Sequence, residues 1–336
     1  MHVVFFSRMK KVLPILLFGV LSMFIAEVFS GASTLWFFNL WGIFVTLLLY
    51  LGHALFFLNL AVITKRTSPR HLYFFGMMFG LYEALITKVL WFGFPGSTGS
   101  IFGSVYGVAW GEFVALVLFW HPIMSFVLPI FIYEVLSGDF FPTHKRFLIK
   151  NWKTLSIIFL LLFIGANFQN MGATYNMLVS IGSVAGTIII IFLLNRVTKT
   201  KNLESLMLGK KGMGILFSYL VILYILATVF ILPERLPRTI FPYVFIALWY
   251  LVAIILLWSD TSKKQTTDVL GRYFTNKDLH WFVVLLLIFT LIFSVHTILS
   301  QPIIAVTFIV FMGAGIFIFI LSILRVFQEK ISQNIK

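Results

Sequence analysis

The sequence predicts an all-α protein, a polytopic transmembrane helix bundle of about 10 crossings, and three observations carry that prediction. The first is composition. Of 336 residues, 60% are hydrophobic and 11% charged, and mean hydropathy is +1.03. That leaves too few polar side chains to cover a water-soluble core. The second is the recurrence of long apolar runs from residue 12 to residue 325, with only short polar breaks. Unbroken runs, with none of the alternation of a lipid-facing strand, exclude a transmembrane β-barrel. The third is the placement of charge. With the N-terminus in the cytoplasm, the basic residues gather in alternate segments near 8–11, 65–70, 145–153, 196–211, 263–277 and 325–336. Only Arg235 and Arg238 fall on the opposite side and Lys88 within a span. That asymmetry places both termini in the cytoplasm.

The elements follow in order. The first span covers 12–29 behind Arg8, Lys10 and Lys11. It is expected to be a retained helix and not a cleaved leader, because Glu27 sits beside the Ser30-Gly31-Ala32 that would form the cleavage site. The second covers 36–62 and holds His53. The third, 72–94, carries Gly76, Gly80, Glu83 and Thr87 on one helical stripe, which aims Glu83 at a neighbouring helix. The run 104–138 must cross a net single time to keep the charge parity. Pro122 and Pro129 each remove a backbone donor inside it. The expectation is one crossing plus a broken or re-entrant segment; the alternative is one long, tilted, kinked helix. Further spans are placed at 152–168, 177–195, 212–232, 240–258, 280–299 and 302–325. Trp36 and Trp91 fall at outer edges, and Trp152, Trp258 and Trp281 at inner ones, as an interfacial belt requires.

Several function classes drop out. There is no cysteine, hence no thiolate chemistry. There is no Walker A loop, no dinucleotide fingerprint behind a strand, no HExxH and no GxSxG. The net charge of +14 is accounted for by cytoplasmic loops and does not point to nucleic acid. The expected partner is the lipid bilayer, with a small molecule or a lipid as substrate and the cell membrane as location. No cofactor and no protein partner is identified.

Ionisable groups inside apolar spans are costly and mark function. They concentrate in residues 1–150, and 151–336 reads as an apolar scaffold whose only clearly internal ionisable group is His296. Glu83, Glu112 and His121 are the candidate catalytic residues. Glu27, His53, Thr87 and Lys88 are candidates for binding substrate or carrying protons, with Lys88 placed near the outer boundary within reach of Glu27. Gly99, Gly103, Gly107 and Gly111 recur every fourth residue, as a groove for close helix packing would, and Gly76 and Gly80 offer the matching face. A metal centre is not expected. On a continuous helix the nine residues from Glu112 to His121 turn through about 900° and leave the two on opposite faces. Glu134 reads as ordinary interfacial charge.

The stretches AEVFSGAS at 26–33, YEALITK at 82–88 and HPIMSFVLPIFIYE at 121–134 together resemble a broad set of uncharacterised prokaryotic polytopic membrane proteins. The likeness covers roughly the first 150 residues and implies no activity. The glutamates and histidines on neighbouring spans are also similar to the CAAX-protease-like intramembrane family, which builds a hydrolytic site from such residues. This sequence departs from that family's paired glutamates, since Glu83 lies between Tyr82 and Ala84, and Val117 stands where a phenylalanine would precede His121. The reading that follows is a secondary transporter with intramembrane carboxylates. The alternatives are an intramembrane enzyme with a Glu/His site and a non-catalytic scaffold or sensor.

Overall fold

The computed structural model describes residues 2–94, 97, 99–198, 201–260 and 271–334. Most of the described chain is helical. Helix α1 (His2–Met23) continues into a π-helical turn, Phe24–Val28, and an irregular segment leads to a 3-10 turn at Trp36–Phe38. Helix α2 (Leu47–Ile63) follows a π-turn at Gly42–Thr46. Helix α3 (Pro69–Gly80) starts where sequence rules place it, with Pro69 in its first turn and Ser68 accepting from the His71 N–H. Two single-turn helices come next, α4 (Tyr82–Leu85) and α5 (Val89–Phe92), then a hairpin of β1 (Ser104–Val105) and β2 (Val108–Ala109). The long fourth helix runs Trp110–Ser137 in three parts, α6 (Trp110–Ala115), a π-helical stretch Leu116–Val127, and α7 (Leu128–Ser137). The remainder is α8 (Trp152–Gly172), α9 (Met177–Val197), α10 (Lys210–Phe230), α11 (Phe241–Ser259), α12 (Asn276–Val295) and α13 (Thr297–Asn334). Polar caps mark three of these starts: Asn151 with Thr154 at α8, Asn176 at α9, and Thr275 with Asp278 at α12.

Among the described residues, eight helices are long and apolar enough to cross a membrane, and Val12–Val28 adds a shorter apolar helix. The expected third span, 72–94, is where the helical reading fails. The chain is interrupted at Leu81 and again at 86–88, where Lys88 adopts a left-handed conformation at φ 60°. The expected break within 104–138 is absent. Trp110–Ser137 is continuous, and its π-helical middle absorbs Pro122 by widening the turn.

The chain divides into two compact units. One comprises Met1–Leu55, Leu128–Met207 and Gln265–Thr307. In it α1 packs on α7 and α9, and α12 packs on α8 and α9. Phe18 of α1 meets Tyr133 of α7 edge-on at 6.0 Å, and Phe163 sits against Phe289 and Phe293 at 5.5 and 4.9 Å. The other unit comprises Phe56–Val127, Leu208–Lys264 and Phe308–Lys336. Its centre is α3 laid on the π-helical stretch and on α11. A Cβ on Gly76 would stand 2.5 Å from Pro122 Cα, and one on Gly80 3.0 Å from His121 Cβ. The two glycines therefore set the closeness of this contact.

The glycine stripe of 99–111 is not a helix face. Gly99 and Gly103 lie in the loop, and Gly107 turns the hairpin at φ 76° behind Tyr106 at φ 53°. That is the pair of left-handed conformations a two-residue hairpin turn requires. Only Gly111 is helical, and the Phe102 ring fills the space its missing side chain leaves. Fourfold spacing of glycines fits successive tight turns as well as it fits a groove, and Val105, Tyr106 and Val108 between them favour extended backbone.

Candidate functional site

The two irregular segments of the second unit meet at one point. Glu83 projects from the single turn α4, and His121 from the π-helical stretch just before Pro122. His121 Nε2 lies 2.9 Å from Glu83 Oε1, and its Nδ1 lies 2.9 Å from Ser125 Oγ. The second carboxylate oxygen accepts from the Thr87 hydroxyl, and the Tyr82 side chain also hydrogen-bonds the carboxylate. Tyr82 presents its ring edge to the imidazole at 5.0 Å, with Phe79 on another side at 5.7 Å. Glu83 is 7% exposed and His121 1%. The array is satisfied when Nε2–H donates to Glu83 and Nδ1 accepts from Ser125. A protonated ring donates at both ends, so the histidine can change charge without losing either partner. The Tyr224 hydroxyl stands 3.5 Å from that of Tyr250.

Of the other expected site residues, Thr87 joins Glu83 and the rest hold separate partners. Glu112 is fully buried; its Oε1 accepts from the Ile101 N–H at 2.8 Å, and its Oε2 has no partner among the described residues. It latches the loop that precedes its own helix. Glu27 accepts from Tyr50 at 2.6 Å and from Ser33 at 2.7 Å. His53 Nδ1 faces the Leu49 carbonyl one turn back at 2.8 Å. Lys88, expected near the outer boundary within reach of Glu27, bonds backbone carbonyls instead. It is fully buried, and Nζ donates to Ala227 O at 2.7 Å, to Ile231 O and to Ile86 O at 3.4 Å. Ala227 and Ile231 end α10, so the ammonium caps the negative pole of that helix. No described contact joins Glu83 to Glu112, and Glu83 faces an imidazole with a hydroxyl behind it. No group of three or more His, Cys, Asp or Glu able to hold a metal ion occurs among the described residues.

Sequence reasoning missed three clusters. Arg70 forks onto Asp260 at 2.6 and 2.7 Å and reaches Glu329 at 2.7 Å, with His71 3.4 Å from the same aspartate. Separations of 190 and 259 residues left no local signal. Glu134 is fully buried and accepts from the Phe141 N–H at 2.7 Å, with His144 Nδ1 at 2.9 Å; it anchors the 139–147 loop and is not interfacial charge. The third cluster is the neutral polar layer of α8 and α9. It lay in the half read as scaffold because that reading counted only ionisable side chains.

Long apolar helices with buried ionic clusters define a polytopic α-helical membrane protein. The chain belongs to a family described as "Uncharacterized membrane protein family", whose model matches residues 16–332. A relative from Archaeoglobus fulgidus, described as "Uncharacterized protein", is 43% identical over 124 residues, which is 37% of this chain and 38% of that relative's length. No solved structure matches the chain.

Proposed function

We propose that the protein is a secondary transporter of the cell membrane in which Glu83 is the working carboxylate and His121 exchanges a proton with it. The observation that carries this reading is the 2.9 Å contact of His121 Nε2 with Glu83 Oε1, on two segments that both depart from regular α-helix. Buried acid–imidazole pairs are the groups with which membrane carriers move protons. A discontinuous helix beside them supplies free backbone polar groups for a cargo. One proton can rest on the carboxyl or on the ring, and Ser125 and Thr87 extend the hydrogen-bonded path at either end. The cargo class is a small molecule or a lipid.

The test uses the full chain reconstituted in proteoliposomes. Uptake of a panel of labelled sugars, amino acids and organic ions is measured with and without an imposed pH gradient. Wild-type protein is expected to accumulate at least one solute in a gradient-dependent way. Glu83→Gln and His121→Gln, which keep size and hydrogen bonding, should abolish the dependence. Gradient-driven uptake surviving intact in both variants would refute the assignment.

One observation favours a second reading. Ser125, His121 and Glu83 are hydrogen-bonded in the order hydroxyl, imidazole, carboxylate, which is the order that activates a serine nucleophile in hydrolases. Ser125 is fully buried, which weighs against it. Labelling of Ser125 by a fluorophosphonate probe in native membranes would support the enzyme; an unlabelled serine disposes of it.

A further inference from the structure

In the first unit, the end of α8 and the start of α9 bury neutral oxygen atoms that no described residue satisfies. Gln169 is 1% exposed, and Asn170 and Ser180 are fully buried. The Gln169 amide nitrogen donates to Ser180 O at 3.1 Å, and that of Asn170 to Ala166 O at 2.8 Å and Thr290 O at 3.0 Å. Turning either amide over would set oxygen against oxygen, so these bonds fix which ends remain. The ends that remain are Gln169 Oε1 and Asn170 Oδ1, and neither has a partner among the described residues. The same holds for Ser180 Oγ and the Tyr175 hydroxyl, which is itself shielded from solvent. Four orphaned oxygens inside a lipid-embedded unit are a costly arrangement to keep for packing alone.

Their setting favours positive charge. Gln169 and Asn170 belong to the last turn of α8, a 21-residue helix with no basic residue there, so that turn offers its negative pole no charge of its own. The turn that follows holds two consecutive non-glycine residues in left-handed conformation, Thr174 at φ 53° and Tyr175 at φ 58°. Strain of that kind persists where the surrounding structure needs it. The segment after Gly31 lies over this end of the helices. Leu35 N–H donates to Ser183 Oγ and Trp36 Nε1 to Thr187 Oγ1, both at 2.9 Å, and a Cβ on Gly172 would stand 2.1 Å from Gly31 O. The free groups are amide carbonyls and hydroxyls without a carboxylate. Divalent ions ask for carboxylates; a neutral oxygen set suits a single charge.

We propose that the α8–α9 turn is a binding site for a monovalent alkali cation, held by the side-chain oxygens of Gln169, Asn170, Tyr175 and Ser180. The proposal does not rest on Glu83 and stands whether or not proton exchange occurs there.

The full chain in mild detergent is melted in sodium, potassium and choline chloride at equal ionic strength, and saturable binding of radioactive sodium and rubidium is measured. Sodium or potassium should raise the melting temperature above choline, with a saturable labelled ion. Ser180→Ala and Tyr175→Phe each delete one unpartnered oxygen and break no described hydrogen bond, so both should fold. Each should weaken ion binding about tenfold and narrow the difference between salts. Glu83→Gln should bind the ion as wild type does. Equal melting in all three salts with no saturable ion, as ordered water alone would give, overturns the proposal. So do wild-type affinity in both oxygen-deletion variants and loss of binding in Glu83→Gln with those two intact.

Discussion

Replacing Gly76 by alanine tests the packing that brings Glu83 to His121. The added Cβ would sit 2.5 Å from Pro122 Cα, 3.0 Å from Pro122 O and 3.2 Å from Pro122 C. The first of these is roughly 1 Å short of ordinary contact. All three atoms are backbone, and the ring of Pro122 removes the freedom that would let it yield. Relief requires α3 to withdraw from the π-helical stretch, and overpacking of this kind costs about 1–3 kcal/mol. Alanine returns about 1 kcal/mol of helix propensity, so a net loss of about 0–2 kcal/mol is expected, which at its upper end lowers the melting temperature by a few degrees. Gly313 supplies the control. It lies inside α13, and nothing stands within 4 Å of where its Cβ would be, so Gly313→Ala keeps the propensity gain and should melt at or above wild type. Melting of purified protein followed by tryptophan fluorescence distinguishes the two. If Gly76→Ala melts with or above Gly313→Ala, the close contact does not limit stability and the account of α3 is wrong.

Three further outcomes are expected. Arg70→Ala leaves the fully buried side chain of Asp260 without its fork and should cost about 3–5 kcal/mol; the double replacement Arg70→Met, Asp260→Leu should recover most of it, and equal melting of single and double variants would contradict this. Lys88→Gly suits the left-handed backbone yet removes charge-assisted bonds worth about 1.5–3 kcal/mol each, so it should destabilise; an unchanged melting temperature would mean the carbonyls of α10 need no cap. Thr275→Ala removes one half of the α12 capping box and should cost about 1 kcal/mol, read as a small shift in the same melting curve.

The bundle was legible because hydropathy and charge placement report on lipid directly. Eight of the ten expected spans have a long apolar helix in place. The break at 81–88 was not legible. Leu81, Ile86 and Thr87 carry no strong helix-breaking signal, and the turn exists because Lys88 reaches carbonyls more than a hundred residues away. Pro122 pointed to a break that the structure absorbs in a π-helix instead. At the candidate site, Glu83 and His121 were found from cost alone, since each is an ionisable residue in an apolar run. Their meeting was not predictable from the separation of 38 residues, and Ser125 was overlooked because a serine one turn from a histidine looks like ordinary helix. Gly182 and Gly186, four apart like the glycines of 99–111, do lie on a helix, where they make room for Leu35 and Phe37.

The capping of α10 by Lys88 also ties the order of synthesis to the order of assembly. The lysine leaves the ribosome 139 and 143 residues ahead of the two carbonyls at the end of α10 that neutralise it. Until they arrive, a bare ammonium next to hydrocarbon is costly, and each fragment of 69–92 is too short to be threaded across as a helix by itself. The nascent chain must therefore park this stretch in hydrated headgroups or inside the translocation machinery, and it settles inward only after α10 has been inserted. Chains stopped before residue 210 should leave Lys88 open to water-borne amine reagents that cannot touch it in the finished protein.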